Sequence, residues 1–179
     1  MFLTKMLIRP EDIYKHRTDY ETHRTVCSIL PTQGHHLFVK KSDHVLILSE
    51  ERPEGDAYLQ TKEISPEQFI QDGSRFRFRI LVNPTVQKAG KRVPLVGAAQ
   101  TLGWLKSKSS IWGITLEDAV FIKTDRKVSH RQGHTVTIYG TALAGILQVS
   151  NKEAFSKVFK EGVGRARRLG YGMFELTLA

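Results

Sequence analysis

Tyr20 and His23 lie three residues apart in a stretch with helix-start signals, so their side chains share one helix face, with Arg24 beside them. An imidazole titrates near neutrality and a phenol both donates and accepts hydrogen bonds, a combination suited to proton transfer at a phosphodiester without metal. The same stripe runs on through Cys27 and Leu30. A helix face turned to a core reads identically, so spacing leaves the catalytic and the packing roles of His23 open.

The remaining candidates are weaker. His35 and His36 are neighbours, and on a strand they point to opposite faces, which makes a shared metal difficult. His130 and His134 have the spacing of helical zinc ligands, but Gly133 and turn-like surroundings argue against a helix, and no carboxylate cluster accompanies them. Cys27 is the single cysteine and has no evident partner. There is no C-x-x-C and no G-x-S-x-G nucleophile motif. Neither a metal nor another cofactor is expected.

A second feature lies near the C-terminus. Gly162, Gly164, Gly170 and Gly172 bracket Arg165, Arg167 and Arg168. Glycine tolerates positive φ and close backbone approach, so such a loop can aim N–H groups at an anion while the arginines set its sign. The dinucleotide fingerprint and the NTPase phosphate loop both fail here. The first needs a following βαβ unit and the second a Gly-Lys-Ser or Gly-Lys-Thr. A tight turn with solvated arginines is the plain alternative.

Net charge agrees with an anionic partner: +9, with a pI near 9.8. From Gly73 to Leu116 there is no acidic residue, while Arg75, Arg77, Arg79, Lys88, Lys91, Arg92, Lys106 and Lys108 all fall there. Surfaces without a polyanionic partner usually intersperse both signs. With 179 residues the chain can hold one ordinary domain or two small ones. The single cysteine excludes a disulfide framework, no apolar run is long enough to span a membrane, and the N-terminus is too interrupted for a signal peptide. A cytoplasmic protein, monomeric when free, is expected.

These residues must be held by elements. A strand is predicted over 2–8 and a helix from Tyr20 to Leu30, capped by Thr18 or Asp19 and stopped by Pro31. Two short strands follow at 37–41 and 44–49, then a short helix beginning at Ser65-Pro66. Arg75-Phe76-Arg77-Phe78-Arg79-Ile80-Leu81-Val82 is the clearest strand, with Phe76, Phe78, Ile80 and Val82 on one face and the arginines on the other. The order βαββαβ predicts an α+β, ferredoxin-like unit over 1–84, with one sheet face free. A flexible basic connector at 85–90 is taken as the boundary. A strand at 91–95, a helix over 97–107, and strands at 119–123 and 134–149 around a polar hairpin at 124–133 follow. A helix capped by Ser150 or Asn151, the glycine loop and a last strand make a second βαββαβ unit over 85–179.

In the same order, these motifs resemble the CasE-type CRISPR repeat-processing endoribonucleases of class E systems, within the wider RAMP proteins. The resemblance rests on Met1-Phe2-Leu3-Thr4-Lys5, Tyr20-Glu21-Thr22-His23-Arg24 with Pro31, Arg75 to Arg79 ending in Asn83-Pro84, Gly90-Lys91-Arg92-Val93-Pro94-Leu95, Trp104-Leu105 and the Gly162 to Gly172 loop. It implies two tandem ferredoxin-like domains that bind the hairpin of a CRISPR repeat transcript and cut at its 3′ base. The implied reaction is metal-independent: the ribose 2′-OH attacks the adjacent phosphate, leaving a 2′,3′-cyclic phosphate and a 5′-OH. It further implies His23 as the catalytic general acid or base and Tyr20 as its helper. Arg126, Lys127 and Arg131 would lie near the RNA, and Lys91 and Arg92 in a basic element before the second-domain helix. Members of the family stay on the crRNA 3′ hairpin as subunits of a Cascade-type interference complex.

The chain is shorter than most relatives, chiefly between Ser49 and Ser65 and around 124–133, and Arg167 stands where relatives often carry lysine. The rival readings are a hairpin-binding subunit of the same fold without chemistry and a basic scaffold that binds only protein.

Overall fold

Alternation and caps place the elements in chain order: β1 (Phe2–Leu7), α1 (Asp19–Ser28), β2 (His36–Lys40), β3 (His44–Ser49), β4 (Leu59–Glu63), α2 (Pro66–Phe69), β5 (Arg75–Val82), β6 (Thr85–Lys88), β7 (Lys91–Pro94), α3 (Ala98–Ser109), β8 (Ile114–Arg131), β9 (His134–Val149), α4 (Lys152–Glu161) and β10 (Phe174–Leu178). A 3-10 turn covers Pro10–His16 and another Arg167–Leu169. The computed structural model describes residues 1–32, 34–55, 58–131 and 134–179, with the side chains of 129, 130, 131 and 134 excluded.

The first sheet has the order β2-β3-β1-β4 and the second β10-β5-β9-β8, each four-stranded, and every strand pairing in both is antiparallel. Counted by their own strands, both read 4-1-3-2, the ferredoxin-like order. The fold is therefore α+β with two such sheets. In the first, residues 50–58 join β3 to β4 with no helix among the described residues.

Three expectations change. β5 hydrogen-bonds to β9 and β10, not to β1, so it is the first strand of the second sheet. The fourth strand of the first sheet is instead β4, an edge strand paired, among the described residues, only with β1. A boundary at 84/85 would cut β5 from its sheet, and the change of sheet falls between Glu63 and Arg75. The connector at 85–90 is an ordered hairpin, in which Lys88 faces Lys91 across Ala89 (φ 47°) and Gly90 (φ 74°). Two successive positive φ values match the hairpin turn whose twist suits the flanking strands.

The cores explain the layering. Val26 of α1 packs on Met6, Phe38, Val45 and Ile47, covering one face of the first sheet. The opposite face is not free: Leu37, Val39 and Leu48 join Phe76, Phe78, Ile80, Trp104, Trp112, Phe155, Phe159 and Phe174 in one continuous apolar cluster. β2 is thus buried on both faces. Phe38 faces α1, while Leu37 faces the second unit.

Candidate RNA-processing site

Helix α1 starts where Thr18 Oγ1 accepts from the Glu21 N–H (3.1 Å) and the Glu21 carboxylate accepts from the Thr18 N–H (2.8 Å). This reciprocal cap fixes the helix start at Asp19 and thereby the azimuth of His23. His23 stacks on His36 (centroids 5.6 Å apart, planes 16° apart) and on Phe38 (6.5 Å). Alternation along β2 brings His36 and Phe38 to the α1 side and sends His35 the other way, where its Nε2 lies 3.1 Å from the Lys160 carbonyl.

Cys27, for which the sequence suggests no partner, lies against both imidazoles. Its Sγ is 3.6 Å from His23 Nδ1 and 3.9 Å from His36 Nε2. Burial first, then the charges of His36 and Arg168, hold His23 below the usual imidazole value. Burial likewise lowers His36, with His35 and Arg168 adding to it, and pushes the Cys27 thiol up. In the free protein the imidazoles are therefore disposed to be neutral.

The charge of Arg168 acts on this cluster because the glycine loop folds back toward it. Gly162, Gly164, Gly170 and Gly172 all have positive φ. Three of these positions also leave no room for a side chain: a Cβ on Gly162 would come within 2.7 Å of Leu37, one on Gly170 within 2.8 Å of the Phe38 ring, and one on Gly172 within 2.0 Å of the Val163 carbonyl oxygen. The loop is pressed against β2 and α1, which brings the charge of Arg168 from the second unit near enough to lower the His23 pKa. Arg167 turns the other way, donating to the carbonyl of Glu161 (2.8 Å), the last residue of α4. Arg165 is exposed on the loop.

A third segment closes on the start of α1. Lys127 of β8 bonds both Asp19 carboxylate oxygens (2.6 and 2.8 Å), and the Tyr171 hydroxyl donates to the same carboxylate (3.1 Å). Beside this junction is a cleft of about 660 Å³ lined by Arg17, Tyr20, Lys40, Lys127, Val128, Val136, Ile138 and Leu169. Tyr20 is 39 % exposed and edges the cleft. Arg17 and Lys40 are cations that sequence reasoning missed. Their signal was weak, because one lies before the helix cap and the other ends a strand.

The other predicted contacts are more dispersed. Arg24 is exposed on α1, away from the core face. Arg75 is held by Glu117 through two bonds (2.7 and 2.5 Å), whereas Arg77 and Arg79 line a cleft of about 580 Å³ between the two sheets. Lys91 and Arg92 are exposed on the β6–β7 hairpin, and Arg126 is exposed on β8. The side chains of Arg131, His130 and His134, and residues Gln132 and Gly133, lie outside those described. A further cavity of about 830 Å³ is lined by Glu67, Lys157, Lys160 and Arg167 on the His35 side of β2.

No helix among the described residues is long and apolar enough to cross a membrane.

The chain is 24 % identical over 212 residues to the CRISPR-associated endoribonuclease Cse3 of Thermus thermophilus, covering 99 % of this chain and 100 % of the relative. It is 26 % identical to the CRISPR system Cascade subunit CasE of Escherichia coli K12, covering 75 % and 74 % of the two chains. A solved CRISPR endoribonuclease Cse3 bound to a 19-nucleotide RNA superposes with a TM-score of 0.87 over 99 % of this chain and 100 % of that one, at 22 % identity. The family model described as CRISPR associated protein matches residues 1–178, and the chain belongs to that family.

Proposed function

We propose that the protein is a CRISPR repeat-RNA endoribonuclease that grips the repeat hairpin and cuts at its 3′ base. The reading is supported most by one observation: the glycine loop packs on Phe38 of β2, and Phe38 and His36 stack on His23 of the helix that also carries Tyr20. The full-length similarity to a named endoribonuclease supports it from outside the site.

His23, held neutral by burial and neighbouring positive charge, accepts the proton of the ribose 2′-OH. The 2′-oxygen then forms a bond to phosphorus as the bond to the 5′-oxygen breaks. The Tyr20 hydroxyl donates the proton that the departing oxygen needs, so charge balances without a metal. Arg168 offsets the negative charge that grows on the phosphoryl oxygens. Arg17, Lys40, Arg77, Arg79, Lys91, Arg92, Arg126 and Arg165 give the cationic surface for the hairpin phosphates. We place the division between the protein's two units between β4 and β5. The product hairpin stays bound, and the protein serves in a Cascade-type complex, a role supported by the name of its Escherichia coli relative.

His23→Ala tests the assignment. Single-turnover cleavage of the repeat hairpin should fall by at least about 10²–10⁴-fold, the usual worth of a general acid or base, with affinity nearly unchanged. Equal cleavage by both proteins removes His23 from the chemistry. Tight binding by wild type with no cleavage makes the protein a hairpin-holding subunit.

A further inference from the structure

We propose that His23, Cys27 and His36 form a site for a thiophilic divalent metal of the zinc class, and that its occupancy switches off cleavage. Their ligand atoms all lie within 4.8 Å of one another, and they are brought together by α1 and β2. His23 and Cys27 are four apart on the helix, the spacing that aligns two ligands on one face. His36 enters from the neighbouring strand.

The distances approach those of a bound site. Zn–S near 2.3 Å and Zn–N near 2.0–2.1 Å at tetrahedral angles put sulfur and nitrogen about 3.5 Å apart. Here Cys27 Sγ stands 3.6 Å from His23 Nδ1 and 3.9 Å from His36 Nε2. His36 is also oriented as a ligand is. Its Nδ1 donates to the Gly34 carbonyl (3.1 Å), which fixes the tautomer and leaves the Nε2 lone pair toward the sulfur. The stacked rings mean that capture turns His23 about its Cβ–Cγ bond until both lone pairs converge.

One thiolate and two imidazoles select zinc-class ions over magnesium or calcium. Binding forms the metal–sulfur bond and releases the thiol proton to solvent. The resulting thiolate offsets one of the two metal charges beside Arg168. Three protein ligands leave a fourth position for water.

Metal capture stands on geometry alone, while its inhibitory effect rests on the proton-transfer role of His23. A metal on the His23 nitrogen occupies the lone pair that would take the 2′-OH proton. Cys27 and His36 serve the metal and not the chemistry, so they separate the two claims.

The test is titration of the full chain with Co²⁺, read by the thiolate-to-cobalt charge-transfer band, followed by Zn²⁺ displacement and single-turnover cleavage. Wild type should show the band at one equivalent. Cys27→Ala should lose it, and His36→Gln should weaken Zn²⁺ binding by more than the about 10–100-fold that a merely supporting contact is worth. Circular dichroism checks that both variants are folded. One equivalent of Zn²⁺ should stop wild-type cleavage, EDTA should restore it, and Cys27→Ala should cleave equally with or without zinc. Absence of the band in wild type, or its survival in Cys27→Ala, overturns the site. A band accompanied by zinc-insensitive or zinc-stimulated cleavage overturns the switch. A band with no cleavage even in EDTA leaves the metal site standing and removes the catalytic reading instead.

Discussion

Tyr171→Phe removes one oxygen atom from the junction that holds α1 against the second unit. Tyr171 is 1 % exposed, and its hydroxyl donates to Asp19, the first residue of α1, over 3.1 Å. Burial and the Asp19 carboxylate push the phenol above its ordinary range, so it remains a donor throughout the usable pH range. Asp19 keeps its bonds to Lys127 in the variant, and no charge is stranded. The loss is therefore the net worth of a hydrogen bond to an ionised group, about 1.5–3 kcal/mol. For a chain of this length it lowers Tm by about 2–4 °C per kcal/mol, or roughly 3–12 °C in all. Urea unfolding should show a lower midpoint with an unchanged slope. Lys127→Met is the control: that side chain is 49 % exposed, and its pair with Asp19 should contribute only about 0–1 kcal/mol. A Tyr171→Phe protein as stable as wild type, or a larger loss in Lys127→Met, would refute the view that the buried hydroxyl is the principal tie.

Arg168→Ala should raise the His23 pKa toward its ordinary value, moving the acidic limb of the pH–rate profile to higher pH. The same change should flatten the slope of log affinity against log salt by about 0.7–0.9, and an unmoved profile would place Arg168 away from His23. Ala89→Gly should stabilise the β6–β7 hairpin by about 1 kcal/mol, because an L-residue there holds φ at 47°. Calorimetry reads this as a rise in Tm. His16, His23 and His36 all have folded pKa values below 6.5, so the unfolded chain binds more protons as pH falls. Their contribution to stability is complete above about pH 6.5 and is lost as pH drops toward the folded values, which urea midpoints at about pH 7.5 and 5.5 will show.

Local signals carried much of the architecture. Thr18 or Asp19 signalled the start of α1, and Thr18 is the cap; the Phe–Arg alternation marked β5; and of Ser150 and Asn151 at the start of α4 it is Asn151 whose side chain accepts from the Ala154 N–H. What failed was non-local. Alternation says which face of β5 is buried but not which strands it joins, and its partners β9 and β10 lie far along the chain. β4 escaped notice because Leu59-Gln60-Thr61-Lys62-Glu63 is a polar edge strand whose only pairing lies with β1. The β6–β7 turn lacks the usual Asn-Gly and uses Ala89-Gly90.

The site shows the same division. The place of His23 on α1 was legible from the helix-start signals, though its role was not, and the glycine loop was legible from composition. The approach of His36 to Cys27 depends on how β2 lies across α1, which no local pattern records. Arg167 and Arg168 are adjacent in the chain, yet only Arg167 bonds the end of α4, while the charge of Arg168 bears on His23.

The central claim is metal-free transesterification by the 2′-OH, and single-turnover cleavage of the repeat hairpin in EDTA tests it most directly. Substrates carrying a ribose or a 2′-deoxyribose at the cut should be compared, with both product ends identified. The account predicts cleavage of the ribose substrate to a 2′,3′-cyclic phosphate and a 5′-OH, and no cleavage of the deoxy substrate. Cutting of the deoxy substrate, or a product bearing a 5′-phosphate, would contradict it.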